Sequence, residues 1–139
     1  MKRARIVLLA LCALLSATFL LAAAGDGLWI TRVPEKDRVR INPFAGNSAA
    51  QAAGAKLFKQ NCSSCHGDDA NGKDHHPSLH SERVRSATAG ELQWLLTNGS
   101  MKNGMPSWSR LPEQQRWQII TFLKSLQNAD GQMASKSGK

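Results

Sequence analysis

The sequence predicts an all-α domain. Three stretches carry apolar residues at helical spacing, two of them opening on paired capping residues, and no segment alternates apolar and polar residues over a useful length. The 139 residues suit one small domain with appendages, and the core is thin, with 6% aromatic residues and no Tyr. A domain so short of core gains from a metal or cofactor that staples it.

The chain opens with Lys2, Arg3 and Arg5, followed by an uncharged, largely apolar run from Ile6 to Ala24. A positive start and an apolar stretch make an export segment over 1–24. Ala22 and Ala24 supply a cleavage signature before Gly25, yet the run is close to the ~20 residues that cross a bilayer. A removed signal peptide and a retained membrane anchor are both consistent with it, and we favour the anchor, with Trp29 at the lipid interface and the basic end on the cytoplasmic side. Cys12 reads as a neutral member of the run, since bulky Leu11 argues against lipidation.

Residues 25–47 hold Pro34, Pro43 and a charge-dense centre without an apolar period, and read as a solvated linker. The domain proper is expected over 48–128. Its first helix, SAAQAAGAKLFKQN, begins with Ser48 and Gln51 in capping-box spacing and runs directly into two cysteines. The second, TAGELQWLLTNG, pairs Thr88 with Glu91, sets Leu92, Leu95 and Leu96 on one face and stops at Asn98-Gly99. The third starts near Leu111 with Pro112 at its first position and carries Trp117, Ile120, Phe122, Leu123 and Leu126. Between them lie long loops at 62–86 and 98–110, and loops of such length in a small domain usually wrap something. Residues 129–139 are polar and read as a disordered tail.

The chemistry sits in QNCSSCHG. A disulfide between Cys62 and Cys65 would close a tiny loop and leave His66 without a role, and a redox dithiol of the thioredoxin kind needs a βαβ context that is missing. Zinc is the stronger competitor, because Cys62-x-x-Cys65 is followed by His76-x-x-x-His80. Between those ligand pairs, however, only Ala70 could form the small apolar core of a finger. Covalent haem accounts for the whole cluster. Two thiols can add across the two vinyl groups of one haem as thioethers, and the adjacent histidine is thereby delivered to the iron. His75, His76 and His80 then read as exposed loop histidines.

An electron carrier fills both axial positions, and a thioether is a suitable soft ligand. Met101 and Met105 are the available methionines. Met105 is the better candidate, since Pro106 stiffens the backbone after it and Gly104 before it allows a close approach to a flat ring.

On GAKLFKQNCSSCHG, HPSL, NGSMKNGMPSW and RWQIITFLKSL the chain resembles the class I cytochromes c over about residues 51–126. The resemblance implies a small α-helical haem domain whose first and last helices cross, with Gly54 and Phe58 against Ile119 and Phe122. It implies one covalently attached haem c with His66 and Met105 on the iron, the Pro77 carbonyl on the second ring nitrogen of His66, Leu79 against the ring, and Trp108 near a propionate or over the haem edge. The implied role is electron transfer rather than enzymatic turnover, in the periplasm or on the outer face of a bacterial cytoplasmic membrane, between redox proteins such as an oxidase, a dehydrogenase or another respiratory complex. Chemistry at an iron with one open position is the enzymatic alternative. The formal charge of +8, of which the leader carries three, favours acidic partners or anionic lipid, and no nucleic-acid-binding motif is present.

Overall fold

The computed structural model describes residues 29–136, with side chains to Leu126; the leader over 1–24 lies outside the described residues. The chain divides into two units, Met1–Arg32 and Val33–Lys139. Of the first, the described part is a 3-10 turn, Ile30–Arg32, closed by Arg32 N–H donating to the Trp29 carbonyl at 3.1 Å. Among the described residues no helix is long and apolar enough to cross a membrane.

The second unit is all-helical. Its α-helices are α1 (Glu35–Arg38), α2 (Ser48–Asn61), α3 (Ser63–His66), α4 (Glu82–Ser86), α5 (Ala89–Asn98) and α6 (Glu113–Lys136), with a 3-10 turn at Met101–Asn103. β-Pairing among the described residues is limited to two isolated bridges, Lys73 with His76 and Ser100 with Met105.

The starts and stops follow from local chemistry. Asn47 caps α2, its side chain accepting from the Ala50 N–H at 2.9 Å, so the cap lies one residue before the Ser48 expected from the sequence. Thr88 and Glu91 form the full capping box of α5, at 3.1 Å and 2.7 Å. Pro112 precedes α6 and offers its carbonyl to Gln115 and Arg116 N–H. α6 continues to Lys136, through the polar stretch read as a tail. Gln, Ala, Met and Lys are good helix formers there, and extending an existing helix requires no new nucleus.

α2 and α6 cross in contact. A β-carbon on Gly54 would lie 1.9 Å from the Gln118 carbonyl oxygen, so only glycine lets the two backbones meet there. On either side of the crossing Phe58 packs on Phe122 with ring centroids 5.3 Å apart, and Ile119 and Ile120 are fully buried. Leu92 and Leu96 of α5, with Trp117 and Leu123 of α6, complete the core. Each such side chain contributes roughly 1.5–3 kcal/mol on burial.

From Val33 onward the segment read as linker is part of this unit. The Asp37 carbonyl sits against Gly90, where a β-carbon would be 2.0 Å away, and Thr88 Oγ1 donates to the Arg38 carbonyl at 2.8 Å. Arg38 pairs with buried Glu91, and Arg40 pairs with Glu113 while lying 5.2 Å over the Trp117 ring. Asn42 is buried and donates to the Trp117 carbonyl at 3.2 Å and to Thr121 Oγ1 at 3.0 Å. A charge-dense stretch looks solvated when its partners stand 53 and 73 residues further along the chain.

Gly54→Ala is expected to cost at least about 3 kcal/mol in guanidinium unfolding, because backbone atoms must separate. Ala52→Gly, at an exposed position of the same helix, should cost about 1 kcal/mol. Equal losses would remove the backbone contact as the organising constraint.

Candidate haem-attachment site

α2 delivers the cysteines. Cys62 N–H still donates to the Phe58 carbonyl at 2.8 Å as the last bond of that helix, and the Cys62 carbonyl in turn accepts from Cys65 N–H at 3.1 Å and His66 N–H at 2.9 Å. Cys62, Cys65 and His66 therefore share one helical turn, which ends at Gly67 with φ +78°. Both thiols are free. Cys65 is exposed, whereas Cys62 is half-buried, and burial, reinforced by the neighbouring Cys65, pushes its thiol up to about 11. A group that stays a thiol at neutral pH is a poor redox nucleophile.

His66 has one committed nitrogen. Its Nδ1 lies 3.0 Å from the Pro77 carbonyl, a distance at which Nδ1–H donates and Nε2 keeps its lone pair for a metal. Burial holds the ring below the usual histidine range; the Pro77 bond opposes that shift and His76 adds to it. A neutral imidazole is the form that ligates.

The 67–80 loop places the Pro77 carbonyl by backbone contact. Gly72, at φ +90°, donates its N–H to the His66 carbonyl at 2.9 Å and passes so close to 76–78 that a β-carbon would lie 2.6 Å from the His76 carbonyl oxygen and 3.0 Å from the Pro77 carbonyl carbon. Ala70 is fully buried and accepts from Leu79 N–H at 2.8 Å, which fixes half-buried Leu79 on the same loop. His76 Nδ1 lies 3.2 Å from the Lys73 carbonyl and His80 Nε2 lies 2.9 Å from the Asp69 carbonyl. The histidines of the zinc pattern thus each set a ring nitrogen against backbone. Among the described residues no three His, Cys, Asp or Glu side chains are gathered to hold a metal ion.

The two methionines differ. Met101 is 72% exposed on its 3-10 turn, whereas Met105 is half-buried and its backbone is held on both sides, Ser100 N–H donating to the Met105 carbonyl at 2.8 Å and Met105 N–H to the Ser100 carbonyl at 3.2 Å. Trp108 N–H donates to the Leu96 carbonyl at 2.8 Å, and the half-buried Trp108 ring lies 4.4 Å under the Arg110 guanidinium. Buried Arg116 donates to the Ser109 and Leu111 carbonyls and ties this loop to α6.

The structure thus brings Cys62, Cys65, His66 and Pro77 together, joins Leu79 to them through the loop backbone, and sets Met105 and Trp108 on a second loop pinned to α5. Gly72 is a positioning residue the sequence reading did not single out, although it is the glycine of an Asn-Gly pair, a turn signal, and Gly99, read there only as a helix stop, also holds the second loop. A cleft of about 260 Å³ between Asn42, Gly46, Thr121 and Lys124 contains none of these residues. The donor set fits a covalent haem: two cysteines on one turn that are not joined to each other, a histidine with a free Nε2 beside them, and a restrained thioether.

Gly72→Ala is expected to push the Pro77 carbonyl off His66 Nδ1, read by NMR as faster solvent exchange of the ring N–H. Gly46→Ala, equally strained at φ +74° but with nothing within 4 Å, should leave that proton unchanged.

No curated protein matches the chain. Residues 49–123 match the family described as Cytochrome C oxidase, cbb3-type, subunit III, a span that runs from the first turn of α2 into α6 and includes every candidate residue above. The chain belongs to this family of c-type cytochrome domains, electron-transfer haem proteins that carry covalently bound haem c.

Proposed function

We propose that the protein is a single-haem electron carrier in which Cys62 and Cys65 hold the haem as thioethers, His66 Nε2 is the proximal ligand and Met105 sulfur the sixth. The observation that carries this reading is the turn Cys62–His66, which sets both cysteines beside an imidazole anchored through Nδ1 to Pro77. When bound, the haem supplies a one-electron Fe(III)/Fe(II) couple. The chain's residues do the rest. The Pro77 carbonyl fixes the ring plane and basicity of His66, the Ser100–Met105 bridge holds the thioether loop, and Leu79 and Trp108 cover the haem and keep water from it.

We place this carrier on the outer side of a bacterial cytoplasmic membrane, held there by the 1–24 segment if it is retained. The family description, with its cbb3-type oxidase, supports a respiratory oxidase as the redox partner. Lys73, Lys102 and Arg110 are exposed on the two loops that carry the ligands, which suits an acidic partner surface.

The purified exported protein is expected to show a low-spin ferric spectrum with a weak near-infrared sulfur-to-iron band, and Met105→Ala to lose that band with the haem still attached. A high-spin native spectrum would favour open-site chemistry, a colourless protein zinc, and survival of the band in Met105→Ala would move the ligand to Met101. Electron transfer to the oxidase should slow as salt rises from 10 to 200 mM, by about tenfold or more if docking is steered by charge. A rate independent of salt would refute steering.

A further inference from the structure

The last carbonyls of an α-helix have no partner within the helix, and in α5 those of Leu96 and Thr97 are taken up by the segment that follows Met105. Leu95 accepts from Gly99 N–H at 2.7 Å, Leu96 from Trp108 N–H at 2.8 Å, and Thr97 from the Ser107 hydroxyl at 2.6 Å. The Ser107 oxygen in turn accepts from Ser109 N–H at 3.2 Å, and the Ser109 hydroxyl stands 3.1 Å away. Gly99 closes the arrangement: a β-carbon there would lie 2.6 Å from Ser107 N and 2.8 Å from the Met105 carbonyl oxygen, so the chain on either side of the loop is in backbone contact.

The loop is firm at its base and open at its tip. Nothing lies within 4 Å of a β-carbon on Gly104, and Met101 faces solvent. What restrains Met105 is therefore the pairing with Ser100 on one side and the attachment of 107–108 to α5 on the other. Pro106, having no N–H, adds no bond between them. Ser107 contributes a side-chain bond to that attachment.

We propose that Ser107 is a positioning residue for the sulfur ligand: its bond to the Thr97 carbonyl keeps the Met105–Pro106 segment closed on the end of α5 and so resists displacement of Met105 by a competing ligand. This rests on the ligand assignment above. A role confined to capping α5 would change stability alone, whereas a positioning role changes how readily an outside ligand replaces the thioether. Ser107 is exposed and contributes nothing to the core, so its alanine variant folds.

The test is imidazole titration of the ferric holoprotein, followed by loss of the sulfur-to-iron band. Ser107→Ala is expected to keep the band without imidazole yet bind imidazole about fivefold more tightly than the native protein, the fold-change that one hydrogen bond can control; Ser107→Thr, which keeps the hydroxyl, should return to within twofold of native. Native-like imidazole affinity in Ser107→Ala overturns the proposal whatever its thermal midpoint, as does failure of Ser107→Thr to restore it. Absence of the band from the native protein is a different result, which removes Met105 as ligand and the proposal with it.

Discussion

At Gly54 the backbone of α2 rests on the Gln118 carbonyl of α6, with 1.9 Å between that oxygen and the position of an absent β-carbon. That contact fixes the angle and register at which α2 leaves the core. α2 then ends one residue before Cys62, and the next turn carries both thiols and His66. A shift at the crossing is thus a shift of the attachment turn. Phe58 and Phe122, packed beside it at 5.3 Å, make sliding costly in apolar surface as well as in sterics.

Two loops are then built on this frame by one device, in which irregular backbone is fixed by hydrogen bonds to other backbone. In the 67–80 loop, the Lys73 and Ala70 carbonyls accept from His76 and Leu79 N–H on either side of the Pro77 carbonyl, which holds His66. In the 99–108 loop, the orphan carbonyls of α5 serve as anchor points, so the end of a helix and the restraint of a methionine are satisfied together. Neither loop holds a large apolar core of its own, and both depend on glycines at positive φ that no other residue replaces without strain.

Charge is arranged with a similar economy. Glu91 is buried, yet one oxygen caps α5 through Thr88 N–H and the other takes Arg38, so its desolvation is offset by two partners. Lys124 donates to the Arg85 and Ala87 carbonyls at the end of α4; burial lowers its pKa, and the charge of Glu91 opposes that fall. On the 33–47 segment Arg38 pairs with buried Glu91 and Arg40 with exposed Glu113, while Lys73, Lys102 and Arg110 of the ligand loops are exposed.

The all-α class, the three principal helices and the Cys62–Cys65–His66 cluster were legible in the sequence because each is local: helical periodicity, capping residues and ligand spacing are set within a few positions. Local rules also identified the Thr88–Glu91 box and the stop at Gly99. They misplaced the α2 cap by one residue, since Asn47 and Ser48 are both competent caps and the structure uses Asn47. Tertiary structure alone decided that residues 33–47 pack on the helices, that His76 and His80 each turn a ring nitrogen to a carbonyl, and that the segment after Met105 is tied to the end of α5. In each case the deciding partner is distant in the chain or is a backbone group, and a linear string of side chains records neither.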